Sequence, residues 1–214
     1  MTRTFPLSLG LAAVLVLGLG FAAQANQGVL EINATCAINT GCFAGDSPGY
    51  PVQITPAAPA KSFVLTSDLA VSSASTTAIE IARTNVTLDL QGFEIACRVP
   101  PFNVPCTSNP NATAFEGGDG VRVFSTSVSF VEIRNGTISS MGDDGTELGP
   151  NALVRNVRAS GNFVSGNAGT GIRMLLDGIF AVLGVAQDNF VIGPGASISG
   201  GFVGPGNYCG ASGC

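Results

Sequence analysis

The chain contains no histidine and no tryptophan, only two tyrosines, and charged side chains make up just 11% of its 214 residues. Without histidine it cannot supply a Ser-His-Asp triad, a Cys-His dyad or a histidine ligand for zinc, copper or iron. Nine basic residues face fourteen acidic ones, and the resulting net charge of -5 provides no basic surface for nucleic acid. The composition therefore excludes histidine-dependent catalysis and predicts that nucleic acid is not a partner.

The first 25 residues have the pattern of an export signal. Arg3 precedes an apolar run from Phe5 to Ala23, and Ala23-Gln24-Ala25 supplies a small-x-small cleavage site. We expect cleavage before Asn26, a secreted location that is extracellular or periplasmic, and no membrane contact after the signal is removed. An uncleaved membrane anchor is the alternative, because the apolar run is just long enough to span a bilayer.

The six cysteines fall into three close pairs. Each pair brackets a segment rich in glycine, proline or asparagine, and export makes oxidation of the thiols plausible. The alternative, a metal site with four cysteine ligands, requires closely spaced CxxC-like pairs that the sequence lacks. We therefore predict three local disulfides. The pairs are Cys36/Cys42, Cys97/Cys106 and Cys209/Cys214.

The middle of the chain repeats short β-branched strands separated by glycine and asparagine turns, as in Thr76–Ile95. Matching segments recur along the chain. Val131, Ile133 and Ile138 lie 43 residues after Leu88, Leu90 and Ile95, residues 154–160 match 133–139 at an offset of 21, and residues 186–193 match 159–166 at an offset of 27. A period of 21 to 27 residues predicts a solenoid in which each turn stacks on the last.

A right-handed parallel β-helix is the solenoid that this pattern favours. Leucine-rich repeats share the period, but their LxxLxLxxN pattern is absent. A β-sandwich would also contain many short strands, but it would not explain why whole phrases such as Ala-x-x-Asn-Phe-Val-x-Gly recur.

Four segments resemble the bacterial right-handed parallel β-helix repeat proteins of the pectin-lyase-like superfamily: SFVLTSDLAV, TTAIEIARTNVTLDLQGFEI, VEIRNGTIS and VRNVRASGNFVSGNAGTGI. The resemblance runs from Ser62 to Gly193, about 60% of the chain. It implies an all-β fold, a short right-handed parallel β-helix of about five to six coils with disulfide-closed ends.

The expected organisation has four parts. Residues 1–25 are the signal peptide, 26–61 an N-terminal cap segment, 62–203 the parallel β-helix with a proline-rich loop insertion at 96–118, and 204–214 a cysteine-closed C-terminal cap. Caps are needed because a β-helix otherwise exposes strand edges at both ends.

The resemblance includes pectate lyases and polygalacturonases, which work with carboxylates, a calcium ion or an arginine base. The candidate catalytic residues are Asp143, Asp144 and Arg155, and the candidate calcium ligands are Asp143, Asp144 and Glu147. A solvated turn is the alternative interpretation of this acidic segment. The companion Gly-His-Gly and Arg-Ile-Lys motifs of polygalacturonases are absent.

Arginines and phenylalanines also recur in the repeats. Arg134 and Arg155 are equivalent at the offset of 21, which predicts a basic ladder on one outer face. Such a ladder would either contact an acidic glycan or neutralise Glu132 and Asp143. Most phenylalanines stand where a core would need them, and those at 163 and 190 suggest a packing stack. The four ladder arginines are Arg122, Arg134, Arg155 and Arg158.

These observations predict an exported, non-catalytic β-helix protein that acts as a structural or glycan-contacting module. The expected partners are polysaccharide or cell-surface components, and the protein is expected to be a monomer or an end-to-end oligomer. No cofactor is expected other than the candidate calcium ion. The alternative function is that of a divergent polysaccharide lyase or glycoside hydrolase acting on an acidic polysaccharide.

Overall fold

The computed structural model describes residues 28–101, 103–106, 117–125, 127–149, 154–174, 184–193, 197–210 and 214. The predicted signal peptide (1–25) and residues 107–116 of the predicted insertion lie outside this part of the chain. The described residues form short strands and one short helix. In chain order these are β1 (Val29–Ile32), α1 (Ala34–Asn39), β2 (Val52–Ile54), β3 (Ser62–Leu65), β4 (Leu69–Val71), β5 (Ile79–Ile81), β6 (Val86–Asp89), β7 (Glu94–Val99), β8 (Val104–Pro105), β9 (Val121–Val123), β10 (Ser129–Arg134), β11 (Thr137–Ser139), β12 (Thr146–Leu148), β13 (Arg155–Ser160), β14 (Phe163–Ser165), β15 (Ile172–Met174), β16 (Gly184–Gln187), β17 (Phe190–Ile192), β18 (Ile198–Ser199), β19 (Phe202–Val203) and β20 (Tyr208–Cys209).

The strands build three parallel sheets. Sheet A has the order β1-β3-β6-β10-β13-β16-β19, sheet B has β18-β15-β12-β9-β5-β2, and sheet C has β20-β17-β14-β11-β7-β4. From β3 onward the chain enters sheets A, C and B in a constant rotation, apart from β8, which pairs antiparallel with β7. Because consecutive strands belong to different sheets, each sheet joins residues that are far apart in the sequence. The prediction of an all-β chain built on parallel strands is confirmed.

Each sheet buries alternate side chains in one common core. Ile79 and Ile81 of β5 are fully buried, while Glu80 between them is partly exposed, and β2 alternates in the same way. This is the period of two that a strand requires when one face is covered. In sheet A one inward column contains Leu30, Phe63, Leu88, Ile133, Ala159, Ala186 and Val203.

The register confirms one predicted offset, corrects a second and overturns a third. Ala159 pairs with Ala186, as the offset of 27 predicts. The offset of 43 holds in sheet C, whereas Leu88 in sheet A pairs with Ile133, at an offset of 45, because the turn after β6 is two residues longer than the turn after β10. The offset of 21 is wrong. Ile133 pairs with Ala159, so Arg134 lies beside Ser160 and is not equivalent to Arg155. The resemblance between "IRN" and "VRN" reflects similar chemistry, but the buried columns set the pairing.

An asparagine ladder closes the turns between sheets A and C. Asn189 Oδ1 accepts hydrogen bonds from Asn162 N and Nδ2, both at 3.1 Å, and Asn207 Oδ1 accepts from Asn189 N and Nδ2, both at 3.0 Å. Each Nδ2 also donates to a strand carbonyl of the preceding level, for example that of Asn189 to Ala159 O at 2.9 Å. The next position along the column is Gly136, where a Cβ atom would lie 2.1 Å from Leu90 Cβ, so the ladder ends at Asn162.

Replacing the middle rung should weaken the fold measurably. We expect Asn189→Leu to lower the free energy of unfolding by about 2–3 kcal/mol, because it strands buried partners that no water can reach. Urea unfolding followed by circular dichroism gives the value. Asn39→Leu, at the exposed end of α1, is the control and should change little. An equal effect of the two substitutions would contradict a stabilising role for the ladder.

All six cysteines form the three predicted local disulfides. Their Cα atoms are 4.6 Å apart in Cys36–Cys42, 5.4 Å in Cys97–Cys106 and 4.9 Å in Cys209–Cys214. The prediction is confirmed, and the alternative of a four-cysteine metal site is excluded. Three disulfides indicate an oxidising environment. Within the described residues, no helix has the length and apolar character needed to cross a membrane.

Candidate functional site

The predicted acidic residues gather on sheet B. Glu147 is the central residue of β12 and lies between Arg122 of β9 and Arg173 of β15 on the face away from the core. Asp143 and Asp144 occupy the glycine-rich turn that leads into β12. The parallel pairing thus brings charges of alternating sign together from three separate parts of the sequence.

Two ion pairs hold this cluster in place. Glu147 Oε2 lies 3.0 Å from Arg122 Nε, and Asp144 Oδ2 lies 3.4 Å from Arg173 Nη1. Asp144 Oδ1 also accepts a hydrogen bond from Thr170 N. The exposed fractions of Asp144 and Glu147 are only 1% and 3%, so the interpretation of this segment as a solvated turn is wrong for both. Asp143 is partly exposed.

Asp119 is a member of the cluster that the sequence did not single out. It is fully buried, its Oδ1 accepts a hydrogen bond from Asp144 N at 3.1 Å, and its Oδ2 has no hydrogen-bond partner among the described residues. The available signal was an aspartate in the glycine segment directly before β9. That signal was ambiguous, because the same pattern occurs in ordinary turns.

The carboxyl groups of the cluster hold their protons unusually strongly. Burial raises the pKa of Asp119 to about 8, and the charges of Glu147, Asp144 and Asp143 raise it further. Burial raises the pKa of Glu147 to about 7 although Arg122 opposes the change, and it raises that of Asp143 to about 6. Burial also raises the pKa of Asp144, against the opposing effects of Thr170 and Arg173. Asp119 is therefore mostly protonated at neutral pH.

The geometry does not support the predicted calcium site. The described residues contain no group of three or more acidic, cysteine or histidine side chains arranged to hold a metal ion. Calcium requires six to eight oxygen ligands. Of the candidates Asp143, Asp144 and Glu147, the last two direct an oxygen to an arginine instead, which explains the difference.

The predicted catalytic group is not brought together either. Arg155 is an exposed residue of β13 in sheet A, whereas Asp143 and Asp144 adjoin sheet B. The arginines that face the aspartates are Arg122 and Arg173, and the second was not a candidate. The misplaced equivalence at the offset of 21 had suggested Arg155.

The predicted basic ladder is divided between two sheets. Arg122 lies in sheet B, and the other three arginines lie in sheet A. Arg134 Nε is 3.0 Å from Asp89 Oδ2, and Arg158 Nε is 3.8 Å from Glu132 Oε1. This pairing agrees with the neutralising role and extends it to Asp89.

An exposed aromatic column occupies the outer face of sheet C. Phe163, Phe190 and Tyr208 are paired on neighbouring strands, and their ring centroids lie 5.4 Å and 4.6 Å apart with interplanar angles of 10°. The three residues are 38%, 41% and 53% exposed. The expectation that most phenylalanines are in the core is wrong for the described part of the chain. Phe63 alone is fully buried there, whereas five are exposed: Phe124, Phe130, Phe163, Phe190 and Phe202.

A polar patch continues this column toward the first strands of sheet C. Thr137 and Glu94 precede Phe163 in the same outward column. Glu94 Oε1 accepts hydrogen bonds from Ser139 Oγ and Arg98 Nη2. The outer face of sheet C thus changes from hydroxyl and charged groups to aromatic rings along a single line.

A groove lies at the turns that join sheet B to sheet A. Its volume is about 430 Å³. Arg83 Nη1 donates to the carbonyls of Ala58 and Ala60, which fixes the loop before β3. The lining mixes a guanidinium, hydroxyl groups and small apolar side chains: Pro56, Ala82, Arg83, Thr84, Ser125, Ser127 and Val128.

Comparison with known protein families, with curated proteins and with solved structures finds no match for this chain.

Proposed function

We propose that the chain is an exported right-handed parallel β-helix protein of the pectin-lyase-like type that contacts glycans without cleaving them. The constant rotation of the strands through three parallel sheets supports the β-helix, as do the repeated segments between Ser62 and Gly193. Three disulfides and the N-terminal pattern support export.

The aromatic column of Phe163, Phe190 and Tyr208 is the observation that carries the glycan proposal. The apolar C–H faces of a pyranose pack against aromatic rings, while a phenol can hydrogen-bond to a sugar hydroxyl. Tyr208 ends the stack, and no other described ring lies against its second face. That face, with the exposed ring edges and the polar patch beyond Phe163, forms an extended surface suited to a linear chain of sugars.

The acidic cluster supports the non-catalytic part of the proposal. A general acid or base must reach the substrate. Asp119, Asp144 and Glu147 are buried, and the last two are held by arginines, so they serve the packing of sheet B. Asp143 is the one carboxyl of the cluster with access to solvent, and the alternative function of a lyase or hydrolase would have to use it.

Retention of the protein on immobilised polysaccharides tests the proposal. We expect the wild type to be retained by at least one polymer of a panel of neutral and acidic glycans. We expect Tyr208→Ala to bind about tenfold more weakly, because one aromatic contact is lost. Phe130→Ala is the control, because Phe130 is equally exposed but lies in sheet A. Equal effects of the two substitutions, or no retention on any polymer, would contradict the proposal.

The same panel distinguishes the alternative function. Absorbance of unsaturated products and release of reducing ends are followed with and without calcium, and we expect no cleavage. Cleavage that is abolished by Asp143→Asn would replace the binding proposal with the enzymatic one.

A further inference from the structure

Sheet A is the one sheet whose two ends lack a closing device in the described part of the chain. At the first end, α1 follows β1 at the point where later turns of the chain enter sheet C. At the other end, the Cys209–Cys214 disulfide holds the last residue against β20, again in sheet C. The edge strands of sheet A, β1 and β19, therefore lie outside both closing elements.

Both edges of sheet A expose apolar side chains. Val29 of β1 is 56% exposed and Phe202 of β19 is 67% exposed. They are the two ends of a single outward column, whose members are Val29, Ser62, Thr87, Glu132, Arg158, Val185 and Phe202. The middle of this column is polar or charged, as a solvated face should be, and only its later end and its first residue are apolar.

The inward column next to it is also incomplete at its ends. It begins at Leu30, which is partly buried, and ends at Val203, which is 38% exposed although every position between them is fully buried. Leu30 and Val203 thus have neighbours in the column on one side only. Another strand laid against either edge would complete the core at that point.

We propose that β19 of one copy of this chain pairs in parallel with β1 of a second copy, so that sheet A continues from one molecule into the next. An edge strand offers unpaired N–H and C=O groups, and an apolar edge is the kind that pairs with another chain. With the register continued, Phe202 faces Val29 of the next copy and Val203 faces its Leu30. Glu31 then faces Gly204, which brings no charge, so no repulsion opposes the joint.

This joint is head-to-tail, because it uses two different surfaces of the same chain. Such a contact does not close on itself, and repetition produces a linear assembly whose length depends on concentration. The proposal is independent of glycan binding, because the aromatic column belongs to sheet C.

Sedimentation velocity of the purified mature chain over a range of concentrations provides the test. We expect the wild type to form a growing series of oligomers, and we expect both Phe202→Lys and Val29→Lys to remain monomeric, because a lysine on an edge strand blocks pairing. Val104→Lys, on the exposed hairpin of sheet C, is the control and should assemble like the wild type.

Mixing the two blocked variants identifies the joint. Phe202→Lys retains an intact β1 edge and Val29→Lys an intact β19 edge, so the mixture should form dimers and nothing larger. Phe202→Lys mixed with Val29→Glu should still form that same dimer, which also shows that the introduced charges do not unfold either edge. A wild type that stays monomeric at every concentration would overturn the proposal. So would a dimer that is lost in one edge variant and unaffected in the other, because that result indicates a symmetric contact.

Discussion

Arg122→Met should lower the free energy of unfolding by about 3–5 kcal/mol at about pH 8, because it leaves the charge of Glu147 buried without its partner. Glu147 is 3% exposed, and Arg122 Nε, 3.0 Å away, is its paired cation. The guanidinium also lies 4.6 Å from the ring centroid of Phe124, and methionine keeps only the apolar part of that contact. Chemical unfolding followed by circular dichroism measures the loss.

Three controls separate this charge effect from a packing defect. Arg134→Met removes an arginine from a partly exposed pair and should cost about 1 kcal/mol or less. The double variant Arg122→Met/Glu147→Leu should recover most of the loss, because no unpaired charge remains. At about pH 5, below the pKa of Glu147 of about 7, the penalty of Arg122→Met should shrink as the carboxyl takes up a proton. A penalty that does not depend on pH would show that the loss is one of packing.

We expect the protein to lose on the order of 4 kcal/mol of stability between about pH 4 and about pH 8 through its acidic cluster. Burial raises the pKa of Asp119 to about 8 and that of Glu147 to about 7. In the unfolded chain the same groups release their protons near their ordinary pKa values, about pH 4. Unfolding therefore releases protons, so the stabilisation is complete in acid and is lost as the pH rises through the folded-state values. Asp143, which is partly exposed, contributes less.

Asp119→Asn isolates the largest contribution to this pH dependence. The asparagine can still accept from Asp144 N, and it carries no charge at any pH, as the protonated aspartate does. The remaining groups of the cluster, namely Asp143, Asp144, Glu147, Arg122 and Arg173, are unchanged. We expect melting temperatures of this variant to fall less steeply with pH than those of the wild type. Glu31→Gln, at an exposed carboxylate, should leave the slope unchanged. A wild type whose stability rises from about pH 4 to about pH 8 would contradict the raised pKa values.

The sequence predicted the strands and the disulfides because both depend on local patterns. Alternating apolar residues identify strands such as β5, and the spacing of the cysteines permits local closure. The offset of 27 was also correct, because the two segments have turns of the same length. The offset of 21 failed because the alignment followed polar residues, whereas inward side chains determine the register.

The site was harder to predict because its members meet only through that register. Asp119, Arg122, Glu147 and Arg173 come from three levels of sheet B, and no short motif contains them all. Predicting the position of Arg173 beside Asp144 required the correct pairing of β12 with β15. The exposed phenylalanines were missed for a different reason. Composition treats a phenylalanine as a core residue, whereas Phe163 and Phe190 occupy outward positions, where they cover one another.

The short range of the disulfides determines how the protein should respond to mechanical tension. Each bridge joins cysteines only 6, 9 or 5 residues apart, so none fastens one level of the sheets to the next. Paired positions in neighbouring levels lie 26 residues apart at Ile133/Ala159 and 27 apart at Ala159/Ala186. A chain pulled from its two ends would therefore unzip level by level, releasing similar lengths at each step, and reducing agents would barely alter the length of those steps.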